Sequence, residues 1–88
     1  MNPLNYAILK YFTKVEEASA TEVIRDLKTE YRKFKALNEK DVLNALMTAE
    51  ANGLIEESRY ELDKAGQVRI YFRANEEGKE AINKYIPN

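Results

Sequence analysis

The spacing of apolar residues changes abruptly at Gly53, and this change limits which folds the chain can adopt. Before Gly53, Val42, Leu46 and Ala49 recur every three or four residues and therefore share one face of a helix. Asn38 can cap the start of this helix, and Gly53 suits the left-handed position that ends it. After Gly53 apolar residues alternate with polar ones, as in a half-buried strand. The segment therefore contains both a helix and a strand, and with its flanking elements we expect a fold of the α+β class.

Three further helices are predicted, each from a start signal followed by apolar residues at helical spacing. Asn2-Pro3 is a typical helix start, Ser19–Glu22 has the spacing of a capping box, and Asn75 can cap a last helix. Gly78 weakens that last helix, because glycine has a low helix propensity. The predicted bounds are about Pro3–Lys14, about Ala20 to Lys33 or Lys35, and about Glu76–Tyr85, with the Gly53-terminated helix third in order.

Two alternating segments after Gly53 predict a β-hairpin. The loop between them is Asp63–Gln67, in which Gly66 is available for a positive φ. The predicted inward face consists of Tyr60, Leu62, Ile70 and Phe72. The predicted register pairs Leu62 with Val68, Glu61 with Arg69, Arg59 with Tyr71, and Glu57 with Arg73.

The composition argues against several functional classes. The chain has 88 residues, no cysteine and no histidine, which removes disulfides, thiolate metal sites and the commonest general base. No apolar run approaches the roughly 20 residues that span a bilayer, and no signal-peptide pattern is present. We therefore expect one domain over residues 1–88, cytoplasmic and not an enzyme, with no cofactor, no metal and no membrane partner.

The predicted order, three helices followed by a hairpin and a closing helix, resembles the winged helix-turn-helix fold. The resemblance covers most of the chain and is most specific in VLNALMTAEANGLI (Val42–Ile55) and VRIYFRANEEGKEAI (Val68–Ile82). Asn75 stands where such proteins often carry a threonine. Many bacterial transcriptional regulators of the PadR-like and MarR-like kind look like this. The resemblance implies double-stranded DNA as partner, with helix three in the major groove, the hairpin as a wing, and a dimer on a palindromic site.

A basic cluster spans the end of helix two and the start of helix three. Between positions 28 and 40 only Glu30 and Glu39 oppose five basic residues, which leaves a local charge of +3. In the resembled geometry this region faces phosphates and supplies sequence-independent affinity. The alternative is a solvated helix face, which is the commoner meaning of a charge run. The cluster consists of Lys28, Arg32, Lys33, Lys35 and Lys40.

Other DNA-contact candidates follow from the resemblance. On helix three, lysine can reach guanine, asparagine can pair with adenine, and threonine can contact either. The base-edge candidates are Lys40, Asn44 and Thr48. On the hairpin, Lys64 at the tip is the best wing contact. On one interpretation Arg59 and Arg69 grip DNA together with Lys64. On the other, Arg69 and Arg73 are partly neutralised by the acidic residues across the strands.

A different function remains open on the same scaffold. Leu43 and Met47 lie one turn apart on helix three, and they either pack in the core or form a protein-binding patch. The net charge of −1, with Glu39 and Asp41 at the start of helix three, favours a protein–protein interaction module without DNA binding. A third possibility is a bare DNA-binding core whose effector pocket forms only at a dimer interface.

The tyrosines divide by position. Tyr11, Tyr31 and Tyr60 lie on apolar stripes and are predicted in the core. Tyr6 and Tyr85 lie on the terminal helices, where an amphipathic ring suits a half-buried interface. We therefore predict a homodimer that forms through the terminal helices.

Overall fold

A computed structural model describes residues 2–87 and confirms the predicted order of elements. The elements are α1 (Leu4–Tyr11), α2 (Ala20–Tyr31), α3 (Glu39–Ala51), β1 (Glu56–Leu62), β2 (Val68–Arg73) and α4 (Glu76–Tyr85). The two strands form an antiparallel hairpin, so the fold class is α+β as predicted. Met1 and Asn88, the ends of the predicted domain, lie outside the described residues. In this part of the chain no helix has the length and hydropathy to cross a membrane.

Three of the four helix starts follow their predicted caps. The start of α1 differs, because Pro3 is its N-cap and no side chain caps it, so Asn2 does not play the predicted role. The Glu22 carboxylate accepts hydrogen bonds from the Ser19 backbone N–H at 2.7 Å and from the Ser19 hydroxyl at 2.5 Å. The Asn38 side chain accepts from the Asp41 backbone N–H at 2.9 Å, and Asn75 accepts from Gly78 at 2.8 Å. Each cap satisfies backbone donors that the first helical turn leaves without partners.

The end of α3 confirms the role predicted for Gly53. Its φ is +77°, and its N–H donates to the Glu50 carbonyl, while the Leu54 N–H donates to the Ala49 carbonyl. This pair of bonds is the Schellman motif, in which a glycine takes the left-handed position that a Cβ would strain. Gly66 in the hairpin loop also has a positive φ, +80°.

Two helices end earlier than predicted. α1 stops at Tyr11, and residues 12–14 continue as turns rather than helix. α2 stops at Tyr31, and the chain reaches α3 through a seven-residue loop of successive turns over residues 32–38. Near the end of this loop Leu37 packs against the core. The Phe34 ring lies edge-on to the Tyr31 ring, with the ring centroids 5.1 Å apart. The connection between the two helices is therefore a long loop and not an extension of α2.

The core lies between the four helices and the base of the hairpin. Its fully buried apolar side chains come from the turn after α1, from α2, α3 and α4, and from β2: Phe12, Val23, Val42, Leu46, Phe72 and Ile82. Tyr31 is buried as predicted, with its hydroxyl donating to the Asn2 carbonyl. Tyr11 is only partly buried. The core prediction for Tyr60 is wrong, because this residue is 67% exposed.

The inward face predicted for the hairpin is correct only at its base. Phe72 is 1% exposed and Ile70 packs against the core, whereas Leu62, like Tyr60, is 66% exposed. Two backbone hydrogen bonds between Phe72 and Ala18 attach the base of the hairpin to the segment between α1 and α2. Val68, on the same face and nearer the loop, is also exposed, so the helices do not cover this part of the hairpin.

The predicted strand register is correct near the loop and wrong at the base. Leu62, Glu61 and Arg59 pair as expected with Val68, Arg69 and Tyr71. The register then shifts between Glu57 and Arg59, so that Glu57 pairs with Phe72 and Arg73 pairs with Glu56 instead. The extra residue is Ser58, which forms a β-bulge of a kind that alternation in the sequence does not reveal.

Acid should destabilise the contact that joins α1 to α2. The Asp26 carboxylate accepts from the Arg25 guanidinium at 2.8 Å and from the Tyr11 hydroxyl at 2.7 Å, and these bonds lower the pKa of Asp26 to about 2 from its ordinary value of 3.8. The folded pKa is below the unfolded one, so this stabilisation is complete above the unfolded pKa and is lost as the pH falls towards 2. At neutral pH, Asp26→Asn should unfold at a lower midpoint urea concentration than the wild type. Near pH 2 the midpoints of the two proteins should become equal. The exposed Glu80→Gln is the control, and a gap that does not depend on pH would contradict the assignment.

Candidate nucleic-acid interface

The outward side of α3 carries one continuous stripe of exposed residues. The buried side of α3 consists of Val42, Leu46 and Ala49, so the opposite side of the helix faces outward. Spacings of four, three and four residues place the exposed side chains in one row, since such spacings return to the same face of a helix. The row consists of Lys40, Asn44, Met47 and Ala51, with Thr48 beside it.

Polar groups on this stripe are available to a ligand. Within residues 2–87, the side chains of Lys40 and Asn44 have no hydrogen-bond or ion-pair partner. The Thr48 hydroxyl is different, because it donates to the Asn44 carbonyl at 2.9 Å. Lys40 and Asn44 therefore fit the predicted role of base contacts, while the proton of Thr48 is already engaged.

The two acidic residues at the start of α3 are held by neighbours. Glu39 accepts from the Thr21 hydroxyl at 2.9 Å and so faces α2. Asp41 accepts from the Asn38 side chain at 2.8 Å. Both carboxylates are thus part of the local structure of the helix start, which reduces their opposition to an anion beside Lys40.

A groove of about 290 Å³ lies between the N-termini of α2 and α3 and the hairpin. It brings together Lys40 and Arg69, which are 29 positions apart in the chain. Leu43, Val68 and Ile70 contribute apolar area to a lining that is otherwise mostly polar. Thr21 and Gln67 also line the groove, and the sequence did not single them out because only the tertiary packing brings their segments beside Lys40.

The remaining members of the basic cluster lie elsewhere. Lys28 is in the last turn of α2, about 10 Å along the helix from Thr21, since a helix rises about 1.5 Å per residue. Arg32, Lys33 and Lys35 follow in the loop, and all four are exposed. None of them lines the groove. The structure therefore divides the cluster into Lys40 beside the hairpin and a second basic area at the far end of α2.

Arg59 on the hairpin is engaged in a network with the rest of the protein. Its guanidinium donates to Glu17 at 2.9 Å and to Glu61 at 2.9 Å, and lies 3.9 Å from the centroid of the Tyr71 ring. The Tyr71 hydroxyl donates to Glu61, and the Ser58 hydroxyl donates to Glu17. Arg59 holds the pKa values of both carboxyls below their ordinary range. This arginine thus braces the wing against the segment between α1 and α2.

Two other cations of the hairpin, Lys64 and Arg69, have no acidic partner among residues 2–87, whereas Arg73 pairs with Glu56 at 3.2 Å. Glu61 faces Arg69 across the strands but bonds to Arg59 and Tyr71, and in the described part of the chain Arg69 makes no ion pair. The nearby Tyr71 hydroxyl raises the pKa of Arg69. Lys64 is exposed at the tip, where the Asp63 side chain shapes the loop by accepting from two backbone N–H groups. Lys64 and Arg69 therefore remain available as wing contacts.

Leu43 and Met47 have different environments although they are one turn apart. Leu43 is partly buried, packs against the core and lines the groove. Met47 is 52% exposed and lies in the outward row. The two residues therefore do not form one apolar patch.

No protein-family model and no curated protein sequence matches this chain. Two solved structures are similar to it. The crystal structure of Bacillus subtilis PadR in complex with operator DNA superimposes with a TM-score of 0.74 at 20% identity, over 100% of this chain and 49% of PadR. A PadR-like transcriptional regulator from Bacillus cereus gives a TM-score of 0.67 at 22% identity, over 93% of this chain and 76% of the regulator.

The chain spans about half the length of PadR, so the likeness concerns one part of that protein. The order of elements agrees with this likeness: three helices, a two-stranded wing and a closing helix. At identities of 20% and 22% the comparisons establish the architecture. This chain therefore has the winged-helix fold that these PadR structures share.

Proposed function

We propose that this protein binds double-stranded DNA and regulates transcription, with α3 in the major groove and the hairpin as a wing. The observation that carries the proposal is the outward row of α3, on which Lys40 and Asn44 present side chains with no partner among residues 2–87. A surface helix with free polar side chains of this kind suits the major groove, which is wide enough to admit it. The similarity to PadR, whose structure contains operator DNA, supports the same conclusion.

Each candidate contact residue has a role in this proposal. Lys40 and Asn44 read base edges, and Thr48 contributes contact area beside them. Arg69, which lines the groove with Lys40, and Lys64 at the hairpin loop hold phosphates at the wing. The basic area at the far end of α2 contacts the DNA backbone further away and adds affinity that depends on salt. This area consists of Lys28, Arg32, Lys33 and Lys35.

The acting species in this proposal is a homodimer that forms through the terminal helices. Tyr6 on α1 and Tyr85 on α4 meet edge-to-face with ring centroids 5.8 Å apart, and they are 37% and 68% exposed. Aromatic side chains with exposed area and a hydroxyl are common at such interfaces. A two-fold dimer of this domain would match a palindromic site. We propose that the protein works in the cytoplasm, as one domain over residues 1–88, without enzymatic activity or a cofactor.

Duplex binding that depends steeply on salt tests the proposal. With the six phosphate contacts named above, raising the salt from about 50 mM to about 200 mM should increase the dissociation constant on the order of 1,000-fold. Sites selected from a random duplex library should be preferred over unselected duplexes, and Lys40→Ala or Asn44→Ala should each remove about 1–3 kcal/mol of that preference. Fluorescence anisotropy measures both quantities. Lys84→Ala, an exposed lysine on α4, is the matched control, and absence of duplex binding at low salt would refute the proposal.

A second candidate function is a protein-interaction module. The observation that favours it is the apolar face of the hairpin, where Tyr60, Leu62 and Val68 are 60–67% exposed on one side. Contiguous exposed apolar side chains often mark contact surfaces. The net charge of −1 agrees with a partner other than DNA. The same low-salt measurement separates the two candidates, because this module would bind no duplex.

A further inference from the structure

Met47 is an apolar residue of α3 that does not pack against the core. It is 52% exposed, although Leu43, one turn earlier, reaches the core. It stands in the same outward row as Lys40 and Asn44. An exposed methionine next to polar contact residues on one helix face suits a ligand group that is itself apolar.

The residues around Met47 make the C-terminal half of the row apolar. Ala51 is exposed in the same row and ends in a methyl group. Thr48 directs its hydroxyl to the Asn44 carbonyl at 2.9 Å, which leaves its methyl as the free end of the side chain. The row therefore begins with hydrogen-bonding side chains and ends with methyl and thioether groups.

The major groove contains one apolar group that such a surface can recognise, the C5-methyl of thymine. Seven residues separate Lys40 from Met47, which is about 10 Å along the helix axis and about three base-pair steps along the groove. We propose that Met47 is a specificity-determining residue that contacts a thymine methyl about two to three base pairs from the pair that Lys40 contacts. This inference rests on the proposed DNA-binding function.

Thymines can be tested one at a time with deoxyuridine, which lacks only the methyl group. Duplexes are first selected from a random library with the wild-type protein, and each thymine is then replaced singly by deoxyuridine. At one position the replacement should weaken wild-type binding about fourfold, since one buried methyl group changes affinity by about this factor. Met47→Leu, which keeps an apolar side chain, should preserve this loss. Met47→Gln, of similar length but polar, should bind both duplexes equally.

The outcomes separate this inference from the function on which it rests. If the wild type binds no duplex at low salt, both fail. If it binds selected sites but no thymine position shows the loss, or if Met47→Gln shows the same loss as the wild type, only the role of Met47 fails. A change in sedimentation mass for Met47→Gln, with duplex binding unaltered, would place Met47 in a protein contact and would also overturn the inference. Because Met47 lies outside the core, circular dichroism melting should confirm that both variants fold.

Discussion

Replacing Phe72 by alanine is expected to lower the free energy of unfolding by about 3–5 kcal/mol. The ring is 1% exposed and lies in the core between the helices and the hairpin. Its removal therefore takes away buried apolar surface and leaves a cavity that the rigid surroundings only partly fill. Small domains are stable by about 5–15 kcal/mol in total, so this one residue accounts for a large share of the stability.

The matched control for Phe72→Ala is Tyr60→Ala. The sequence pattern assigns both aromatic residues to the same face of the hairpin, but Tyr60 is 67% exposed. Its replacement should change the free energy of unfolding by no more than about 0.5 kcal/mol. Urea unfolding followed by circular dichroism measures both, and the melting temperature of Phe72→Ala should fall by at least about 12 °C. Similar losses for the two variants would contradict the observed orientation of the hairpin.

Replacing Gly78 by alanine should also destabilise the protein, although alanine is the better helix former. A Cβ at Gly78 would collide with the carbonyl oxygen of Leu54, because the first turn of α4 packs closely on that backbone. The gain of up to about 1 kcal/mol in helix propensity is smaller than the strain, which for overpacked sites is about 1–3 kcal/mol. We expect a net loss of about 1–2 kcal/mol, and Gly78→Val should lose more because its branched side chain cannot move away from a main-chain oxygen.

The same helix offers a control for Gly78. Glu80 is exposed on α4, and Glu80→Ala should change stability by only a few tenths of a kcal/mol. Thermal unfolding by circular dichroism compares the three variants with the wild type. An increase in melting temperature for Gly78→Ala would mean that α4 does not pack on Leu54 as described.

The candidate site was only partly predictable from the sequence. Helical spacing predicts that Lys40 and Asn44 lie opposite Val42 and Leu46, and the resemblance to winged-helix proteins makes them base-contact candidates. The sequence does not decide whether Arg59 contacts DNA or has a structural role. Its partner Glu17 is 42 positions away, so only the tertiary structure reveals that this guanidinium is occupied. Arg69 does not pair with Glu61 across the strands for the same reason, because Glu61 bonds to Arg59 instead.

The sequence by itself determined the features that depend on neighbouring residues. These are the caps at Ser19, Asn38 and Asn75, the end of α3 at Gly53, the hairpin loop and the order of the elements. All of them arise from contacts within a few residues or from a single φ value, and propensity and periodicity describe such local interactions directly.

The tertiary structure decided the features that depend on distant segments. The sequence pattern counted Gly78 as a weakness, yet the backbone of Leu54 requires a glycine there. The same pattern predicts that Tyr60 and Leu62 face inward, but both are exposed because no other element packs against that part of the hairpin. Alternation indicates which residues share a face of a strand, and only the position of the other elements determines whether that face is buried.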